Sequence, residues 1–294
     1  MRNVKRLTVI LSFLCMHDMA QHNSDYVHYM FNGLLINPAY AGSQEALNVT
    51  ALYRKQWLGL NGAPTDAILS FHSPLKNKKL NLGAVLINDQ FGIYNHTKAG
   101  LIYAYRIRFM KGKLSLGLQA GIDSYSTNWG KISTQEQGDP NFVPSATRDT
   151  KPEAGAGAYY NSKNFYFGLA LPNLFNGGFN SYFMTTITSG CILKAGEDFR
   201  IKPAVLFKYI NHSPVSANVS TTFYYKELIG IGLGYTYNNS AMAYTDIRIN
   251  EQLNLGYGYS YMLNSLSGYT HGSHEIMLRY LFRYKINAVS ARYF

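Results

Sequence analysis

The sequence is poor in charge: 15% of its 294 residues are Asp, Glu, Lys or Arg, against 47% hydrophobic. It has 2 cysteines and 2 tryptophans. It shows no internal repeat, no low-complexity tract and no shift of composition that would mark a domain boundary. Nor is there an apolar run long enough for a membrane helix. The longest, Leu7 to Met16, falls well short of the ~20 residues that a bilayer requires. With a mean hydropathy of −0.15, a helical membrane bundle is excluded.

That one apolar run follows Arg2, Lys5 and Arg6 and stops near "HDMAQ". A basic start, a short apolar core and a small residue before a break read as a secretory signal over 1–20, cut after Ala20. Leu14 before Cys15 is large where lipoprotein processing wants a small residue, which argues against lipidation. Once Cys15 leaves with the signal, Cys191 has no partner in the chain, so no internal disulfide is expected. The net charge of +11 ordinarily points to nucleic acid. An exported chain makes that partner unexpected, and no nucleic-acid role is assigned.

Motifs for chemistry are also missing. The glycines of "GIGLG" (230–234) alternate inside a strand-like segment, so they are a false match to a nucleotide fingerprint. His271, His274 and Glu275 lie at a loop-to-strand junction, not on a helix face that aligns metal ligands. His22 and His28 lack companions and read as solvated or locally packed. No nucleophile elbow or Ser–His–acid set is discernible. We expect no catalytic residue, no cofactor, no metal, and no enzyme activity.

What the sequence does have is Gly (26), Tyr (25), Phe (16) and alternation. In "KLSLGLQAGIDSYS", Leu114, Leu116, Leu118, Ala120 and Ile122 oppose Ser115, Gly117, Gln119, Gly121 and Asp123. In "QLNLGYGYSYML", Leu253, Leu255, Tyr257, Tyr259 and Tyr261 oppose Asn254, Gly256, Gly258 and Ser260. Strand side chains point to opposite faces in turn, so each segment has one apolar face and one polar or glycine face. The segments run to about ten residues, as a tilted membrane strand requires. Aromatics gather at their ends, as in the girdles of outer-membrane barrels.

These patterns predict strands near 46–57, 67–74, 80–89, 97–109, 113–126, 153–161, 164–172, 182–194, 199–210, 215–226, 228–238, 240–250, 252–263 and 273–284. Short charged connections alternate with longer ones, such as "NDQFGIYN" and the stretch across 127–152. Barrels have short periplasmic turns and long outer loops. The expected fold is all-β: a transmembrane antiparallel up-and-down β-barrel of about fourteen strands, spanning 46–284. A periplasmic N-terminal segment (21–45) precedes it and a periplasmic tail (285–294) follows. Arg54, Arg106, Arg108, Lys202, Lys208, Arg248, Arg279 and Arg283 are expected to face the lumen, opposed there by Asp123, Asp246 and Glu275, with Glu275 near Arg279.

"YMFNGLLINPAYAGSQEALNVTALYRKQWLGLNGAP" (29–64) and "SHEIMLRYLF" (273–282) carry a specific resemblance to the PorP/SprF family of the type IX secretion system. "SFHSPLKNKKLNLGAVLINDQFG" (70–92), "KLSLGLQAGIDSY" (113–125) and "FYFGLALPNLFN" (165–176) carry it more weakly. The resemblance implies an outer-membrane barrel, set in outer-membrane lipid, that works with secretion and gliding components of the periplasm and outer membrane. It implies help in secreting or anchoring a large adhesin with a C-terminal sorting domain. A diffusion channel or solute transporter is the other reading of such a barrel.

Within "INPAYAG", Asn37, Pro38 and Tyr40 are candidate partner contacts, either capping the barrel on the periplasmic side or lying just inside the lumen. Asp139, Pro140 and Phe142 of "GDPNF", in the longest outer loop, are candidates for cargo contact. So are Leu174 and Phe175 of "LPNLFNGGF".

Overall fold

The computed structural model describes residues 26–131, 146–176, 183–211 and 213–282. Seven strands run first: β1 (Leu47–Lys55), β2 (Thr65–Pro74), β3 (Leu80–Phe91), β4 (Tyr94–Phe109), β5 (Gly112–Asn128), β6 (Ala146–Ser162) and β7 (Phe165–Asn176). The eighth, β8, comes in two pieces, Met184–Cys191 and Leu193–Ala195, either side of Ile192. Then follow β9 (Phe199–Ile210), β10 (Ser216–Tyr225), β11 (Ile229–Thr236), β12 (Ser240–Arg248), β13 (Leu253–Met262) and β14 (Ser273–Phe282).

Each strand pairs antiparallel with its neighbours in sequence, and β14 returns to pair with β1 from Leu47↔Phe282 to Lys55↔His274. The sheet therefore closes into a barrel of 14 strands, which leaves no edge within the wall. The expected fold is the observed one, and each expected strand has its counterpart.

Alternation sets the two faces. Leu101, Leu116, Leu118, Ile231 and Leu233 point outward and are exposed, as they must be where lipid takes the place of water. Phe109, Phe165, Phe199, Tyr225 and Phe282 ring the outside at the short-turn end, and Tyr53, Tyr209, Tyr235 and Tyr261 ring it at the other. Inward positions mix small and polar residues with buried apolar and aromatic ones such as Leu52, Ile68, Ile102, Tyr159, Tyr244 and Met277, and the core of the molecule lies in the lumen.

Two expected loops are strand instead. β3 and β4 run through "NDQFGIYN" and meet in a two-residue turn at Gly92–Ile93. Gly92 holds φ +56° there, the left-handed value that a tight hairpin turn needs and glycine supplies without strain. Likewise β5 and β6 stay paired out to Asn128↔Ala146, well into the supposed loop 127–152. The cause is physical. Apolar alternation marks a strand only where one face meets lipid. Ser124, Ser126, Thr127, Thr147 and Thr150 lie beyond that level, where neither face needs to be apolar.

The wall is irregular at β7. Its register shifts against β6 between Ala154 and Ala156, and against β8 between Ala170 and Asn173. Pro172 sits at the break, where it has no N–H to give the ladder.

Candidate functional site

Residues 26–45 fill the lumen. They form three short 3-10 turns, Tyr29–Phe31, Gly33–Leu35 and Pro38–Tyr40. Nearly every residue of the segment is buried. For 26–45 this is a lumenal position where a periplasmic one was expected, and of the two positions weighed for "INPAYAG" it is the lumen. Residues 1–25, including His22 and the expected signal, lie outside the described residues.

The last of the three turns explains the sequence of "INPAYAG". Asn37 precedes it in extended conformation, and its side-chain oxygen accepts from the backbone N–H of Ala39 at 2.9 Å. Pro38 follows at the first helical position, where its missing N–H costs nothing. The Asn37 amide donates to the carbonyl of Ala158 on β6 at 2.9 Å. Tyr40 packs edge-on against His72 of β2 and Tyr159 of β6, with ring centroids 5.6 and 5.4 Å apart. Its hydroxyl accepts from the Gln44 amide at 3.1 Å. Burial raises the Tyr40 pKa, so the side chain acts as a neutral hydrogen-bonding group. Asn37, Pro38 and Tyr40 are therefore buried against the barrel's own wall.

Glycines on the wall make the seat possible. A Cβ on Gly117 of β5 would strike the backbone of Pro38 and Ala39, and one on Gly157 of β6 would strike the side-chain Oδ1 of Asn37. The glycine faces seen in the sequence are thus surfaces for close approach of the segment.

Charged wall residues pin the segment along its length. Glu275 on β14, 1% exposed, accepts from the backbone N–H groups of Val27 and His28 at 3.0 and 2.7 Å. Its carboxylate also meets His28 Nδ1 at 2.6 Å. Glu275 and Arg279 both face inward, as expected, and the partner of the Glu275 carboxylate is His28. Arg279 donates to the carbonyl of Phe31 at 3.3 Å and lies over the Phe31 ring. Lys202 of β9 lies 5.8 Å from that ring and 5.7 Å from the ring of Tyr166. Near the short-turn end, Arg106 of β4 donates to the carbonyls of Gly42 at 2.7 Å and Ala41 at 3.2 Å. Arg54 of β1 stands across from Asp66 on β2 and Glu275 on β14, over the ring of Tyr26.

Of the charged residues expected to face inward, Arg54, Arg106, Asp123, Lys202, Lys208, Asp246, Glu275 and Arg279 are buried in the lumen. Arg248 is half-buried at the short-turn end. Arg108 has inward parity but is exposed at the barrel's mouth, so it lines the rim and not the interior. Arg283 and the tail 285–294 lie outside the described residues.

The sequence reading missed Asp66, Asp89 and Glu153, which fall at or just beyond the ends of the strands expected at 67–74, 80–89 and 153–161. With them the long-loop end of the lumen is a polar cluster. His96 bridges Asp89 at 3.2 Å and Asp123, and stacks on Tyr125 at 4.4 Å. Lys98 pairs with Glu153 and donates to Asn173 at 3.3 Å. His274 and Glu275 fall on opposite faces of β14, and His274 meets the Tyr257 hydroxyl, so the "HGSHE" residues do not converge on a ligand. Of the other candidates, Leu174 is exposed near the long-loop end of β7. Asp139, Pro140, Phe142 and the Phe175 side chain lie outside the described residues.

The sequence matches the Type IX secretion system membrane protein PorP/SprF family over residues 18–280. The chain belongs to this family. It is therefore an outer-membrane β-barrel of the type IX secretion system, with its short turns in the periplasm and its long hairpins outside. Among curated proteins none matches the sequence. Solved structures of similar fold include the Acinetobacter baumannii outer membrane protein Omp33, with TM-score 0.52 at 8% identity, covering 82% of this chain and 100% of that one. The Ralstonia pickettii toluene transporter TbuX gives TM-score 0.53 at 10% identity, covering 86% and 93%. The CymD monoaromatic hydrocarbon channel gives 0.51 at 11%, covering 87% and 94%. At such identities the likeness is one of fold.

Proposed function

We propose that this PorP/SprF protein is a binding component, not an enzyme, that helps to secrete a large adhesin-like protein and to hold its C-terminal sorting domain at the cell surface. The observation that carries this reading is the occupied lumen. Residues 26–45 take the space that a transport pathway would need. What remains for recognition is the two ends: polar hairpins outside, and charged turns in the periplasm.

The outer end suits a protein partner. The hairpins of β3 to β6 rise past the lipid level with Asn, Ser and Thr on both faces. Leu174 adds an exposed apolar contact beside them. Binding on extended, pre-paired strands costs little ordering entropy. The periplasmic turns then face the rest of the apparatus.

A deletion strain tests the reading. It should lose surface display of sorting-domain cargo while its other outer-membrane proteins stay at normal levels. Normal display would sink it. The channel reading is tested by planar-bilayer recording of the intact chain. Large steady conductance would favour a diffusion pore, and a filled lumen predicts almost none.

A further inference from the structure

The charge on the periplasmic rim is one-sided. The turn between β2 and β3 (75–79) carries Lys76, Lys78 and Lys79. The next, between β4 and β5 (110–111), carries Lys111, with Arg108 and Lys113 beside it on inward-facing positions. The next, between β6 and β7 (163–164), carries Lys163. The remaining turns are balanced. Lys194 and Arg200 stand with Glu197 and Asp198, Lys226 with Glu227, and Arg248 with Glu251. There Lys226 reaches Asp198 at 3.8 Å, and Arg200 folds back onto the carbonyls of Gly196 and Glu197.

Glu45 shows what the basic arc takes. At the end of the lumen segment it adopts φ +55°, a left-handed backbone that L residues seldom adopt. From there its carboxylate reaches Lys78 at 3.4 Å and also Lys113, bridging two turns of the arc. Lys76, Lys79, Lys111 and Lys163 make no ion pair among the described residues. In their midst Met110, 85% exposed, stands at the tip of the middle turn as an apolar contact.

We propose that this arc is the docking surface for an acidic segment of a soluble periplasmic protein, whose carboxylates join that of Glu45 around the mouth of the lumen. A lipid surface fits less well. Arg108 and Lys113 point inward, and Glu45 holds Lys78 toward the same mouth, so the charge faces water at the barrel's end. The inference rests on the assignment to the secretion apparatus and gives the chemistry of its periplasmic contact.

The test uses the full chain in lipid nanodiscs, with poly-L-glutamate as the probe. Wild type should bind it, and binding should weaken as salt rises. The combined variant K76E, K79E, K111E and K163E should bind at least ~10-fold more weakly. The same four positions changed to Arg should bind as wild type does, and K194E with K226E should leave binding unchanged. Heat-modifiable gel migration selects variants with closed barrels. On wild type itself, the probe should protect Lys76, Lys79, Lys111 and Lys163 from acetylation, read by mass spectrometry. Absence of wild-type binding, equal loss from both halves of the rim, or equal protection of Lys194 and Lys226 would overturn the proposal. So would an arc variant that loses binding to anionic phospholipid vesicles but keeps the probe, which would mark a lipid surface. The two readings fail separately. Normal cargo display in the deletion strain ends the proposed function and leaves probe binding intact, whereas lost display with no probe binding ends the docking surface alone.

Discussion

Two regions of the lumen are lined by inward positions of the wall, yet they are filled in different ways. One holds residues 26–45, which run from Glu275 near the outer end of β14 to Arg106 near the periplasmic mouth, in a dry seat where glycines admit the segment and Arg106, Arg279 and Glu275 bond to it. The other, under the outer hairpins of β3 to β6, holds pairs of side chains, His96 with Asp89 and Asp123, and Lys98 with Glu153. A charge pinned to a backbone in a dry site has no other partner to turn to. A partly hydrated charge pair can exchange its partner for water. Substitutions should therefore cost most in the seat and least on the outer hairpins.

The largest effect should come from removing 26–45 altogether. The barrel should still migrate as a folded species, and bilayer recordings should change from near silence to a large steady conductance. If that conductance is absent, the segment is not the plug. Next comes Glu275→Ala, which strands His28 and two backbone N–H groups in a site shut off from water. It should loosen the segment by about 3–5 kcal/mol, seen as protease cleavage within 26–45 of a chain that stays folded. Tyr40→Ala removes a buried aromatic from between His72 and Tyr159, and should cost about 3–5 kcal/mol in denaturant unfolding. Asn37→Ala loses the turn cap and should cost about 1–2 kcal/mol by the same measurement. At the far end of the scale, Lys151→Ala breaks an outer-hairpin pair with the exposed Asp149. It should change stability by no more than ~0.5 kcal/mol. A larger loss there than for Asn37→Ala would reverse the comparison.

Much of this was legible in the residues. Period-two alternation located every strand and gave the facing of Arg54, Arg106, Asp123, Lys202, Lys208, Asp246, Glu275 and Arg279. It failed where its physical basis ended. Above the lipid, polar residues occupy both faces, so the outer parts of β3 to β6 read as loops, and Asp66, Asp89 and Glu153 were not counted inside. Arg108 has the right parity, but parity does not say how far along the barrel a residue sits. His28 carried no signal, because its partner Glu275 lies 247 positions away.

The sequence by itself determined the strands, their number, their two faces and the family, because these rest on local alternation and on contiguous motifs. The tertiary structure alone decided where "INPAYAG" goes. Gly117, Gly157, Arg106, Arg279 and Glu275 come from four different strands, and they surround one space only after β14 has closed onto β1. A segment that reads as a loop before the first strand becomes the core of the molecule, because that closure creates the cavity it fills.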